Sequence, residues 1–171
     1  MPQKRLTGML VLAAVALAGC MPSPEEQISD GLVQAKKAFE QAPMNTNETV
    51  EGHEMYLPGG YTVEEPSDDQ DIIITKGSDS FALSINPNEK SDSTFFYELQ
   101  KAAADHKWLV DETFEQNGRF GFTTVRAVAD GRYEITENAG GVKMTTVAEE
   151  GKLRENMDWM MKTVRSITSE E

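Results

Sequence analysis

Apolar residues along this chain change their period several times, and each change marks an element. Ile28, Leu32, Ala35 and Phe39 recur at spacings of four, three and four, the single stripe of an amphipathic helix laid against a partner surface. Ser23 stands where it caps that helix, Pro24 suits its first position, and Glu26 completes a Ser-x-x-Glu capping box. The polar run Ala42-Pro43-Met44-Asn45-Thr46-Asn47 ends it and serves as a linker.

From residue 49 the pattern becomes strand-like. Segments 50–57 and 61–65 flank Pro58-Gly59-Gly60, and Ile72-Ile73-Ile74-Thr75 pairs with 80–85 across Lys76-Gly77-Ser78-Asp79. A second helix is expected over 92–107, with Phe95, Leu99, Ala102 and His106 on one face. Four strands follow, at 108–114, 120–128, 133–137 and 142–147. Their connections hold Asn117-Gly118, Asp130-Gly131 and Gly140-Gly141, pairs that reach the positive φ of tight hairpin turns. The last helix, over 149–168, carries the stripe Leu153, Met157, Met160, Val164 and Ile167, with acid in its first turn and Lys162 and Arg165 in its last. At 100° per residue Trp159 points away from that stripe.

This order predicts an α+β fold. One mainly antiparallel sheet of six to seven strands carries helices packed on it and is preceded by an N-terminal helix. A chain of 171 residues buries roughly 68–70% of its extended surface, enough for a core without disulfides or metal.

The N-terminus departs from all of this. Lys4 and Arg5 precede an apolar run of about a dozen residues, the length of a signal-peptide core. A helix of that length rises roughly 18 Å against a hydrocarbon layer of ~30 Å, too short for a permanent span. The run ends in Leu17-Ala18-Gly19-Cys20, where all four positions resemble the lipobox of bacterial lipoprotein precursors. The resemblance implies diacylglycerol on the Cys20 sulfur, cleavage between Gly19 and Cys20, and acylation of the new amino group. Three segments are therefore expected: a signal peptide at 1–19, an anchor with N-terminal helix and linker at 20–48, and an α+β domain at 49–171.

The charge count supports the same picture. There are 29 acidic and 16 basic side chains, a net charge of −13, and a single cysteine. One cysteine excludes intramolecular disulfides and CxxC pairs. The acidic balance argues against nucleic acid as a partner. Residues 1–19 hold Lys4 and Arg5 and no acid, so the chain from Cys20 onward carries 14 bases and 29 acids, a net of −15 over 152 residues. Such a domain is expected to stand off from an anionic surface. Met21 is not the Asp that lipoprotein families associate with inner-membrane retention in Gram-negative cells. The anchor therefore places the domain on the extracytoplasmic face of the cell membrane, or on the periplasmic face of the outer membrane in a Gram-negative host.

A second resemblance covers residues 55–168. Tyr56-Leu57-Pro58-Gly59-Gly60-Tyr61, then an acidic strand, a hairpin, an amphipathic helix, a meander and a final helix, is similar to the PsbP/Mog1-like sandwich in element order. It implies a fold and no activity. The added N-terminal helix departs from that family.

Candidate chemistry is sparse. His53 in Glu51-Gly52-His53-Glu54 lacks a third ligand at usable spacing, and His106 sits near a helix C-terminus, where the dipole favours its protonated form. No nucleophile elbow, zinc-protease helix or phosphate-binding loop occurs. Glu64, Glu65, Asp68, Asp69 and Asp71 form the densest acidic group, read as a solvated loop. Residues 86–92 alternate oxygen side chains but put Lys90 and Ser91 where a calcium loop needs an oxygen ligand and glycine. No metal and no cofactor beyond the Cys20 lipid is expected. Trp159 and Met161 on the last helix are the candidate partner contact, since tryptophan anchors interfaces and thioethers adapt to varied surfaces.

The expected function is a membrane-anchored extracytoplasmic lipoprotein, a non-catalytic binding or assembly module whose partners are the membrane and an envelope protein. Two alternatives compete with it. One is an envelope hydrolase using paired carboxylates, and the other a small solute-binding lipoprotein.

Overall fold

A computed structural model describes residues 22–65, 68–103 and 107–167. The element order is α1 (Pro24–Glu40), β1 (Glu48–Val50), β2 (His53–Met55), β3 (Thr62–Val63), β4 (Asp71–Lys76), β5 (Asp79–Ile85), α2 (Phe95–Ala102), β6 (Val110–Gln116), β7 (Arg119–Ala129), β8 (Arg132–Ala139), β9 (Val142–Glu149), a 3₁₀ turn (Glu150–Lys152) and α3 (Leu153–Ser166). Seven strands form one antiparallel sheet in the order β3-β4-β5-β9-β8-β7-β6. The fold is α+β. Where a single strand was expected over 50–57, Glu51 and Gly52 take positive φ and turn the chain back, giving the separate hairpin β1–β2.

The sheet's inner face carries α1 and α3. Its alternating side chains include Ile72 and Ile74 on β4, Phe81 and Leu83 on β5, Met144 on β9, Ile135 on β8 and Val125 on β7, all buried in one core. Ile28, Ala35 and Phe39 of α1 belong to that same core, so α1 is built into the globule that residues 49–171 form. The two helices run the same way. Gly31 lies against Met157 near their starts, and near their ends Arg165 donates from Nε to the Phe39 carbonyl at 3.1 Å.

The outer face is covered only in part. The short helix α2 lies over β6 and β7, with Tyr97 packing on Phe120 and Phe122 at ring centroid distances of 5.8 and 5.3 Å. Gln100 donates to Thr124 Oγ1 at 2.6 Å. This corrects the expected orientation of the second helix. Phe96 faces inward, whereas Phe95 and Leu99 are exposed. The helix is also shorter than 92–107, and His106 lies outside the described residues. β7 is buried on both faces from Phe120 to Val125 because α1 and α2 sandwich it.

The β6–β7 turn uses Asn117 and Gly118 at φ 52° and 71°, the paired positive angles a two-residue hairpin requires. That turn, the β8–β9 turn and the start of α2 lie at one end of the sheet, where Phe120 N donates to the Ser91 carbonyl and Gly140 N to that of Phe120. The start of α1, the 3₁₀ turn and the β7–β8 turn share the other end. No described helix is long and apolar enough to cross a membrane.

Candidate functional site

Four places in the molecule gather the chemistry that the sequence singles out. The first is α3. Trp159 is buried, packed at a tilt on Tyr61 with ring centroids 4.3 Å apart and edge-on to Phe81 at 4.7 Å, with its indole N–H donating to Asn156 Oδ1 at 3.2 Å. Met157, Met160 and Met161 are fully buried. Trp159 and Met161 are therefore core residues, and the expectation of a surface contact there is corrected. The cause is that α3 is enclosed on three sides. The sheet lies beneath it, α1 lies along one flank, and residues 56–63 close the other, where Tyr56 N donates to Ser166 Oγ at 2.8 Å. A helix covered around most of its circumference buries more than one stripe.

The second place is Glu137 on β8. Register sets it opposite Thr123 on β7 and Met144 on β9, on the face beneath the helices. It is fully buried. Thr123 Oγ1 donates to its Oε2 at 2.5 Å, and Oε1 has no partner. Burial pushes this carboxyl well above the usual carboxylate range, and the Thr123 bond offsets that only partly. The acid is sealed from solvent and does not line the surface groove described below. Sequence reading passed over it, although the alternation Tyr133, Ile135, Glu137, Ala139 already turns it inward.

The third place is the end of the sheet that holds the β6–β7 turn. Asp92, Thr94, Glu115, Gln116, Asn117 and Arg119 line an open groove of about 450 Å³. At the same end of the sheet, Gly140 and Gly141 lie so close to residues 86–91 that a Cβ on either would meet backbone atoms at 2.6–2.8 Å. The loop's oxygens serve its own folding, since Asn86 Oδ1 accepts from Asn88 N and Glu89 accepts from Ser93 Oγ. The acidic group near residue 68 does the same. Asp68 Oδ1 accepts from Gln70 N and Asp71 N, which holds its carboxyl below the usual range, and Asp71 accepts from Ser84 Oγ. His53 Nε2 lies 2.8 Å from the Asp69 carbonyl. Among the described residues, no three His, Cys, Asp or Glu side chains are placed to hold a metal ion.

The fourth place is the start of α1. Ser23 Oγ accepts from Glu26 N at 3.3 Å, and Glu26 Oε2 accepts from Ser23 N at 3.0 Å, the reciprocal box that fixes the helix start. Gly19 and Cys20 lie outside the described residues, four and three positions before that cap. No protein-family model matches the chain, and no curated protein matches it in sequence.

Proposed function

We propose that this protein is a lipid-anchored extracytoplasmic lipoprotein acting as a non-catalytic binding or assembly module. The observation that carries the reading is Leu17-Ala18-Gly19-Cys20 closing a short apolar run behind Lys4 and Arg5, with the chain's single cysteine at the one position the pattern specifies. Each buried methylene of an acyl chain contributes ~0.8 kcal/mol, so one chain holds weakly and two or three hold firmly. Cys20 then tethers a domain whose first helix is capped three residues later, at Ser23.

The placement of the groups favours binding over catalysis. Among the described residues, the carboxyl that burial raises well above its usual range, Glu137, is enclosed in the core, whereas general acids and bases must reach a substrate. The groove lined by Asp92, Glu115 and Arg119 is open and lies at the end of the sheet far from the start of α1. A domain tethered at Ser23 turns that groove toward the envelope space.

Metabolic labelling with an alkyne fatty acid, comparing the native chain with Cys20→Ser, tests the anchor. Label is expected on the native protein alone, and equal label on both sinks the reading. Crosslinked affinity purification from membranes tests the module. A reproducible protein partner is expected, and recovery of a turned-over small molecule in its place would favour an enzyme.

A further inference from the structure

Exposed aliphatic side chains gather on one part of the sheet's outer face. Leu109, Val128 and Val147 are 56%, 40% and 40% exposed. Val147 is registered with Glu134, and Glu134 with Arg126. Leu109 precedes the Val110–Val125 pair and donates its N–H to the Val125 carbonyl at 2.8 Å, which sets it beside Arg126. Val128 stands at the β7 bulge, two residues beyond Arg126. Leu109 and Val147 thus flank the Arg126–Glu134 pair, whose guanidinium meets the carboxylate in two bonds of 2.6 and 2.7 Å, and Val128 lies at the same end of the sheet.

Most charge on this patch is paired, in a chain with a net charge of −13. Arg126 neutralises Glu134, Arg132 is registered with Glu149, and Lys101 bonds Asp111 at 2.6 Å. These pairings offset most of the acid beside the patch, apart from Asp130 in the turn after Val128.

The patch also lies at the end of the sheet where α1 begins. The turn after Val128 accepts a bond from Glu150 N to the Gly131 carbonyl at 3.2 Å, and the 3₁₀ turn that Glu150 opens touches α1. Four Cα steps separate Cys20 from Pro24, a reach of roughly 14 Å. Packed layers lie roughly 10 Å apart, so that reach brings a lipidated Cys20 level with the end of the sheet that carries the patch.

We infer that Leu109, Val128 and Val147 seat the domain on the bilayer that holds its lipid, and so fix its orientation; this rests on the anchor reading above. A second copy is a poorer occupant. Three aliphatic side chains fall far short of the roughly 800 Å² per partner that a stable protein interface buries. A bilayer needs no such area, because the acylated Cys20 already holds the patch at high local concentration. Seated this way, the acids at the start of α1, Glu25, Glu26 and Asp30, lie on the opposite side of the sheet from the bilayer.

The full lipidated chain, reconstituted into phosphatidylcholine vesicles with and without phosphatidylglycerol, tests this. Val128→Cys, Val147→Cys and Val33→Cys are labelled in turn with an environment-sensitive fluorophore, Val33 being exposed on α1 across the sheet. Blue-shifted emission and several-fold lower quenching by aqueous iodide are expected at 128 and 147 and not at 33. A Val128→Asp, Val147→Asp double variant, labelled at Leu109→Cys, is expected to lose that protection while remaining vesicle-bound. Equal quenching at all three positions in protein that co-sediments with vesicles overturns the seating and leaves the anchor intact. Failure of the full chain to co-sediment overturns the anchor, and the seating with it.

Discussion

Phe39 of α1 rests directly on Gly121 of β7. A Cβ at position 121 would stand 2.6 Å from Phe39 Cε2 and 2.5 Å from the Asn138 carbonyl, so the helix approaches the sheet this closely only because the side chain there is a hydrogen. Gly121→Ala is expected to cost about 1–3 kcal/mol, the usual penalty for overfilling a packed core. Urea denaturation measures it. A compensating Phe39→Leu in the same chain should recover part of the loss, and a single Gly121→Ala as stable as the native protein would show that α1 sits farther out.

Glu137 makes stability depend on pH in a defined direction. Unfolded, the carboxyl titrates near 4.5, and burial raises it well above that in the folded protein. Between those two values the folded state keeps a proton that the unfolded state has released. The contribution is intact below pH 4.5 and is lost as pH rises, by about 1.4 kcal/mol per pH unit, until the folded value is reached. Glu137→Gln cannot ionise, so its stability relative to the native chain should climb over that window. The unpartnered amide N–H adds a cost that is the same at every pH. Chemical denaturation at a series of pH values reads the slope, and a flat difference would mean that Glu137 ionises freely in the fold.

Trp159→Ala is expected to destabilise the domain by about 3–5 kcal/mol, as for other large aromatic truncations in cores. Trp159→Phe keeps a ring against Tyr61 and Phe81 and loses the bond to Asn156, so it should cost much less. Thermal denaturation separates the two. A Trp159→Ala variant of native stability would return this residue to the surface.

Ser23→Ala removes one half of the box that starts α1 and should cost about 1 kcal/mol. Hydrogen exchange is expected to quicken at the Glu26 and Gln27 amides, with the sheet amides slowed as before. Uniform acceleration throughout the domain would mean that α1 does not open separately.

Much of this architecture was legible because its strands alternate cleanly. Ile72 and Ile74, Phe81 and Leu83, and Val142 and Met144 each put one face inward, and the Asn-Gly, Asp-Gly and Gly-Gly turns joined β6 through β9 in order. Helix α2 was read with the wrong face inward. Phe95 and Leu99 make as good a stripe as Phe96 and Tyr97, and in eight residues periodicity does not choose between them. The choice is made by Phe120 and Phe122 across the gap. Trp159 was misplaced for the opposite reason: α3 has neighbours on three sides, and a wheel drawn for one face leaves the flanks undescribed. Glu137 shows a third limit. Alternation turns it inward, but only the register with Thr123 supplies the hydroxyl that makes its burial tolerable.

The pairing of β5 with β9 and of α1 with α3 also governs when the molecule can form. The central strand β9 and the helix that seats α1 both belong to the last thirty or so residues described. Until residues 142–166 have been synthesised, β5 has no inner neighbour and the apolar face of α1 has nothing to cover it. Contacts this distant along the chain are slow to close. A nascent chain therefore cannot close its sheet or cover α1 until β9 and α3 have both been made.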